Sequence, residues 1–258
     1  MRRRAALVCF AALIATLAAT LFVGARQTAP PAQQSPALPL PAPASLNFVV
    51  IDPAHGGTDA GARGSLGINE SEIVLDFARA LRAALESQGL RVIQTRNGPE
   101  NPSFDDRSAT ANAQRGAVFI TLHVSSTGTP GQVRVYSDPL PDSAPPQTAG
   151  QPPAPLVFPS RNALLSWDRA QEPYAAASRK LAEIVQASLA QKFPGSPGTP
   201  AFVPVRQLRT VGAPAIAIEV SSVSVASRDL LLQMSPGLAD AIAQAVKSFR
   251  PIYAEAAR

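Results

Sequence analysis

Two histidines, His55 and His123, each follow an apolar run that predicts a β-strand. Residues 48–51 form the first run, an Asp-Pro pair ends it, and two glycines after His55 permit a tight turn. Residues 117–122 lead in the same way to His123. Ligands bind at the carboxyl edge of the strands in open α/β sheets. The sequence therefore predicts that both imidazoles lie at the ligand-binding edge of one sheet.

Two glutamates are predicted to reach the same edge. Glu70 lies in the first turn of a predicted helix, and a right-handed connection brings that turn back beside His55. Glu219 ends the apolar run 215–218. Two neutral imidazoles and one carboxylate make an open zinc site with water in the fourth position, and a second carboxylate can transfer protons. This set of groups predicts metal-assisted hydrolysis of an amide.

Each of these residues also has a plainer interpretation. Either histidine could be a satisfied polar group at the end of a strand, and Glu70 could be an acid favoured by the helix dipole. Glu219 could pair with an arginine, because a buried charge is costly unless it is paired. The functional interpretation is favoured because all four residues are predicted at one edge of the sheet.

The elements that would position these residues alternate between strands and helices. Strands are predicted at 48–51, 91–96, 117–122, 132–137, 202–208 and 215–219, with 132–137 as a possible edge strand. Helices are predicted at 69–88, with a capping box of Asn69 and Glu72, and at 105–115, 175–193, 227–234 and 236–249. The alternation predicts an α/β fold: a single domain with a mostly parallel central sheet, helices on both faces, and the active site at the C-terminal edge of the strands.

The first 45 residues predict export of the chain. Residues 1–25 have three arginines and then an apolar run, which is typical of a signal peptide or of a membrane anchor through residues 5–23. Residues 26–45 are rich in proline and alanine and predict an extended linker. The net charge falls from +5 to +2 once the three arginines are removed, so the composition does not favour a nucleic-acid partner. The expected location is the periplasm or cell envelope, with or without a tether to the inner membrane.

The remaining chain is predicted to form a catalytic domain at 46–251 and a short C-terminal tail at 252–258. Residues 138–160 contain eight prolines, which predicts an irregular insertion loop outside the core. The chain has one cysteine, Cys9, in the predicted signal, so the exported part has neither a disulfide nor a thiolate metal ligand.

A family resemblance rests on an ordered set of motifs. They are Asp52-Pro53-Ala54-His55-Gly56-Gly57, Asn69-Glu70, Thr95-Arg96, Asp106-Arg107 with Ala111-Asn112, Phe119-Ile120-Thr121-Leu122-His123, and Pro214-Ala215 leading to Ile218-Glu219. Their order and spacing resemble the zinc-dependent N-acetylmuramoyl-L-alanine amidases of the cell-wall autolysin type. The resemblance covers residues 48–249, apart from the proline-rich insertion.

The resemblance implies a role for each residue. His55, Glu70 and His123 would bind Zn²⁺, Glu219 would be the catalytic acid and base, and peptidoglycan would be the substrate. Arg96, Arg107 and Asn112 match positions that we interpret as structural. The chain departs from the family at Ala54, at Val124-Ser125-Ser126 and at Val220-Ser221-Ser222, which bear on muropeptide preference.

Two alternatives remain beside hydrolysis of the bond between N-acetylmuramic acid and L-alanine. One is a zinc hydrolase of another cell-wall peptide amide. The other is a degenerate, non-catalytic homologue that binds peptidoglycan. The sequence indicates neither a regulatory protein partner nor an oligomeric state.

Overall fold

A six-stranded sheet forms the centre of the computed structural model, which describes residues 45–140, 156–158 and 166–257. The strands are β1 (Phe48–Pro53), β2 (Arg91–Gln94), β3 (Ala117–Val124), β4 (Val133–Ser137), β5 (Ala201–Phe202) and β6 (Ala215–Val220). Their order is β2-β1-β3-β6-β4-β5, with the first four parallel and β4 antiparallel to β6. The predicted mostly parallel sheet is confirmed.

Helices cover both faces of this sheet. They are α1 (Glu70–Ser87), α2 (Phe104–Asn112), α3 (Ala175–Lys192), α4 (Arg206–Arg209), α5 (Arg228–Leu232) and α6 (Ser235–Ala256). The larger core packs the sheet against α1, α3 and α6, and a smaller core packs the other face against α2 and α4. Among the residues described, no helix is long and apolar enough to cross a membrane.

The apolar pattern of α1 explains why this helix packs on the sheet. Its inward positions recur every four residues and are fully buried: Ile73, Phe77, Leu81 and Leu85. The helix ends before Gly89, whose φ of 76° suits glycine. The predicted cap is wrong, because the Asn69 side chain makes no capping hydrogen bond. A capping box forms instead at α2, between Ser103 and Asp106.

Two predictions about the strands near the β5 edge of the sheet are corrected. β4 lies between β6 and β5, so it is not an edge strand. The predicted strand 202–208 is reduced to the end of β5, followed by α4. Pro204 cannot donate to a strand ladder, and the chain turns into a helix that buries Leu208 in the smaller core.

The C-terminal tail predicted at 252–258 is also corrected. Helix α6 continues through Pro251 as far as Ala256. Tyr253 is buried in the larger core, and Ala256 is also buried. The apolar area removed from water by these last residues stabilises the helix beyond the proline, which by itself favours a helix end.

The predicted insertion 138–160 contacts the core at residues that the structure describes. Leu156 and Phe158 pack against the larger core, and the Phe158 N–H donates to the carbonyl oxygen of Ala256 at 3.0 Å. The Phe158 ring lies 5.2 Å from the ring of Tyr174 and 4.9 Å from that of Tyr253. Residues 141–155 and 159–160 of this insertion lie outside the described residues, as do the predicted signal or anchor and residues 26–44 of the linker.

A buried ion pair holds the end of β1. The Asp52 side chain is fully buried, and Arg107 donates to its Oδ1 at 2.6 Å. The hydroxyls of Thr95 and Thr121 donate to the same carboxylate. Because an unpaired buried charge is strongly destabilising, the carboxylate and the guanidinium each require the other.

Two buried arginines hold the backbone that leads from β1 to His55. Arg107 donates to the carbonyl oxygens of Pro53 and His55. Arg96 donates to those of Pro53 and Ala54, and also to that of Ser71 in α1. Burial, followed by the nearby charge of Arg107, lowers the pKa of Arg96 to about 10, so Arg96 stays charged at neutral pH. These hydrogen bonds fix the loop that carries His55 relative to both the sheet and α1.

We expect Asp52→Asn to lower the free energy of unfolding by about 3–5 kcal/mol, because it leaves the Arg107 charge buried without a counter-charge. Urea unfolding of the metal-free protein measures this change. The matched control is Glu86→Gln, which breaks an exposed pair with Arg82 and is expected to cost less than about 1 kcal/mol. Equal losses in the two variants would contradict a structural role for the buried pair.

We expect Phe158→Ala to lower the free energy of unfolding by about 1–3 kcal/mol, since it removes a partly buried ring that packs on two tyrosines. The same urea titration measures the loss. Val157→Ala is the control, because Val157 is 72% exposed. If Phe158→Ala is as stable as this control, the Phe158 ring does not stabilise the core, and the insertion lies outside the core as the sequence predicts.

Candidate metal centre

His55 adopts a backbone conformation that directs its ring toward α1. Its φ is 62°, which is uncommon for a residue other than glycine. Gly56 follows where the chain passes close to Glu100, and a Cβ at Gly56 would lie 2.0 Å from the Glu100 carbonyl oxygen. The resulting turn places His55 Nδ1 2.8 Å from Asp59 Oδ2 and His55 Nε2 3.2 Å from Glu70 Oε2. Both ring nitrogens therefore have an acidic neighbour.

Glu70 is the first residue of α1, and its carboxylate is buried between the two histidines. Its Oε2 accepts from the Ala62 N–H at 2.7 Å, and its Oε1 accepts from the Val124 N–H at 2.9 Å. His123 Nδ1 lies 2.9 Å from the same Oε1. Backbone donors from two separate segments thus hold the carboxylate in place.

The structure brings the three predicted metal ligands together. One ligand atom from each of His55, Glu70 and His123 lies within 4.8 Å of the other two. The two imidazole rings are half-buried, with centroids 5.4 Å apart and planes at 87°. Two nitrogens and one carboxylate are the donors expected of an open zinc site. Asp59 also fits, because a ligating histidine usually donates its other N–H to an acceptor of this kind.

The electrostatics of this cluster favour a charged carboxylate beside a cation. Burial alone raises the pKa of Glu70, but hydrogen bonds from His123, His55 and the Ala62 N–H outweigh burial and hold that pKa well below its usual range. The hydrogen bond to Glu70 is the main cause that raises the pKa of His55 to about 9, with burial opposing it and Asp59 adding to it. A proton on His55 therefore balances the buried charge of Glu70 in this arrangement.

Glu219 lies on β6, directly beside His123 of β3 in the parallel register. The Tyr136 hydroxyl, on β4, donates to Glu219 Oε1 at 3.0 Å. Burial, and then the charge of Glu219, raises the pKa of Tyr136 to about 12. Within the described residues, no arginine lies within salt-bridge distance of Glu219, although Arg134 of β4 is its partner in the antiparallel register. The carboxylate is half-buried, which differs from the buried acid that the apolar strand predicts.

A cleft of about 290 Å³ opens beside His55. Its wall includes Asp59, Asn101, Phe104 and Gln207. Gln207 is on α4, and its Nε2 lies 3.3 Å from His123 Nε2. The cleft therefore borders His55, and Gln207 in its wall connects it to His123.

Three residues of the site were not identified from the sequence. Asp59 could have been found, because it lies four residues after His55 in the same glycine-rich loop. Tyr136 and Gln207 have no comparable signal, since they lie 83 and 84 residues from the side chains that they contact. Only the pairing of β4 with β6 and the packing of α4 bring them to the site.

Curated relatives match a little more than a third of the chain. The chain is 36% identical over 101 residues to N-acetylmuramoyl-L-alanine amidase AmiC of Escherichia coli O6:H1, covering 38% of this chain and 24% of AmiC. It is 37% identical over 93 residues to the sporulation-specific N-acetylmuramoyl-L-alanine amidase of Bacillus subtilis, covering 35% of this chain and 36% of that protein. The aligned parts thus span about a quarter to a third of these relatives.

Solved structures share the fold over most of the chain. The N-acetylmuramoyl-L-alanine amidase from Clostridium difficile 630 aligns with a TM-score of 0.57 at 21% identity, covering 80% of this chain and 97% of that one. Ami1 from Mycobacterium smegmatis aligns with a TM-score of 0.56 at 20% identity, covering 81% of this chain and 99% of that one. At these identities the likeness establishes the fold.

The family assignment rests on a match that includes every residue of the cluster. A sequence model of the N-acetylmuramoyl-L-alanine amidase family matches residues 49–248, which extend from β1 into α6. His55, Glu70, His123 and Glu219 all lie within this match, at the edge of a sheet whose architecture is also found in solved members. The chain belongs to the N-acetylmuramoyl-L-alanine amidase family.

Proposed function

We propose that the protein is an exported, zinc-dependent amidase that hydrolyses the amide bond between N-acetylmuramic acid and L-alanine in peptidoglycan. The observation that carries this proposal is the convergence of His55, Glu70 and His123, with Glu219 beside His123 on the next strand. Membership of the amidase family and the names of the matched relatives support the choice of substrate. The expected roles are cell-wall remodelling, cell separation or recycling.

The donor set fits zinc. His55, Glu70 and His123 would hold the ion, and three protein ligands leave one position for water. Zinc held there would lower the pKa of a bound water toward neutrality and would polarise the carbonyl of the substrate. Asp59 accepts from His55 Nδ1, which would leave the lone pair of Nε2 for the ion.

The chain supplies the proton transfer through Glu219. As a carboxylate next to His123, it takes a proton from the attacking water and then delivers it to the departing nitrogen of L-alanine. The Tyr136 hydroxyl donates to Oε1 and orients the carboxylate, while the other oxygen is left for the reaction. Arg134 on β4 is paired with Glu219 on β6 in the antiparallel register, so it adds positive charge near this carboxylate.

The proposed location follows from the substrate and from the first residues of the chain. Peptidoglycan lies outside the cytoplasmic membrane, and residues 1–25 have the pattern of a signal peptide or membrane anchor. We propose that the domain works in the periplasm or cell envelope, either released or tethered through residues 5–23.

We expect the purified protein to hold one zinc ion per chain, and His123→Ala and Glu70→Gln to lose it, because each removes one of three ligands. Metal analysis after dialysis against a weak chelator measures the zinc content. Glu72→Gln is the matched control for Glu70→Gln, since Glu72 lies in the same turn of α1 but pairs with Arg228 at the surface. Unchanged zinc in His123→Ala or Glu70→Gln would contradict the ligand set.

We expect Glu219→Gln to lower amidase activity by about 10²- to 10⁴-fold, because it removes the general base and acid. Mass analysis of the products from purified peptidoglycan measures the activity and identifies the bond that is cut. The variant is expected to retain zinc, and Glu255→Gln at the surface of α6 is the control. Near-normal activity would contradict the catalytic role of Glu219, loss of zinc would make it a ligand, and cleavage elsewhere in the stem peptide would change the substrate.

A further inference from the structure

Gln207 contacts the metal-ligand cluster from the side opposite Glu70. Its side chain is half-buried, lines the cleft beside His55, and places its amide 3.3 Å from His123 Nε2. His123 Nδ1 faces Glu70 Oε1 at 2.9 Å. The imidazole of His123 is therefore held at both ring nitrogens, by a carboxylate on one side and by an amide on the other.

The two histidines of the cluster have different outer partners. His55 Nδ1 lies against Asp59, a carboxylate that is itself held by the Gly61 N–H. An ionised carboxylate only accepts hydrogen bonds, so it keeps the proton of a neutral His55 on Nδ1. In the described part of the chain, the outer nitrogen of His123 has the amide of Gln207 as its partner in place of a carboxylate.

An amide suits the outer nitrogen of His123, because it can both donate and accept. A neutral His123 that donates from Nδ1 to Glu70 presents the lone pair of Nε2, to which the Gln207 N–H can donate. A His123 that offers its Nδ1 lone pair to a metal carries its proton on Nε2. In that state Gln207 can turn its amide over and accept through Oε1.

The backbone that carries Gln207 is held firmly in place. Leu208, the next residue, is fully buried in the smaller core. After α4, the Thr210 carbonyl oxygen accepts from Asn112 Nδ2, and the Gly212 N–H donates to Asn112 Oδ1. These contacts tie α4 to α2, so Gln207 approaches His123 from a supported position. Asn112, interpreted from the sequence as structural, therefore supports the position of Gln207 without contacting the site itself.

We propose that Gln207 is a positioning residue for His123. Its amide hydrogen-bonds to Nε2 and orients the ring, so that the Nδ1 lone pair would be available to the metal. This inference rests on the metal site of the proposed function, and it adds a residue and a tautomer to that site. Gln207 itself is not a ligand, because its amide lies beside the ring nitrogen that faces away from Glu70.

Zinc affinity tests this role without reference to activity. Loss of an outer partner of a ligating histidine typically weakens metal binding by about 10- to 100-fold. We expect Gln207→Leu, which removes the hydrogen bond but keeps the bulk, to weaken zinc binding by about this factor in competition with a chromophoric chelator. Gln207→Glu retains an acceptor at the same distance and should restore most of the affinity. Arg209→Gln is the matched control, since Arg209 is an exposed residue of the same short helix.

The tautomer of His123 gives a second readout that a merely structural role would not change. Nitrogen-15 NMR of the unsubstituted, zinc-loaded protein should show the proton of His123 on Nε2, in a hydrogen bond, and Gln207→Leu should lose the protection of this proton from exchange with water. Urea unfolding of metal-free Gln207→Leu should match that of the unsubstituted protein. If Gln207→Leu does not fold, Gln207→Ala replaces it, and the NMR result on the unsubstituted protein is unaffected.

The outcomes separate this proposal from the proposed function. If the unsubstituted protein binds no zinc, both are overturned. If it binds zinc and Gln207→Leu binds equally tightly, the role of Gln207 alone is overturned. A zinc-loaded His123 with its proton on Nδ1 would overturn it too, as would a Gln207→Glu variant as weak as Gln207→Leu.

Discussion

The geometry of the site depends on the buried contact between Asp52 and Arg107. The carboxylate is removed from water at the end of β1, and the guanidinium that balances it also binds the carbonyl oxygens of Pro53 and His55. One ion pair therefore fixes both the end of the strand and the loop that carries the first histidine. Arg96 connects the same loop to α1, which carries Glu70. Because buried charges tolerate few arrangements, the relative positions of His55 and Glu70 are narrowly defined.

The second half of the site depends on the register of the sheet. β3 carries His123, and β6 places Glu219 beside it. On the other side of β6, the antiparallel strand β4 brings Tyr136 to Glu219. A one-residue slip of β6 would turn Glu219 to the other face of the sheet. The residues of β6 alternate between the two cores, and this alternation fixes the register and with it the position of Glu219. Ile216 and Ile218 face the larger core, while Ala215 and Ala217 face the smaller one. The packing that stabilises β6 thus aims Glu219 at the side on which His123 and the cleft lie.

The charges of the cluster explain why a cation suits it. Glu70 is a buried carboxylate that four hydrogen-bonding groups keep ionised, and Asp59 adds a second acid next to His55. Protonated His55 can balance Glu70, and its raised pKa reflects that pairing. A metal ion at the same place would supply the positive charge without the proton, so the charge of the cluster suits the metal site that we propose.

The sequence by itself determined the elements that carry the chemistry. The apolar runs before His55, His123 and Glu219, and the helix start at Glu70, are local patterns, and the right-handed connection rule converts them into one edge of a parallel sheet. The tertiary structure decided which side chains support them. Gln207 reaches His123, Tyr136 reaches Glu219, and Tyr253 extends α6 past Pro251 only because distant segments pack together. Such contacts depend on the shape of the folded core, and no short-range pattern of residues encodes them.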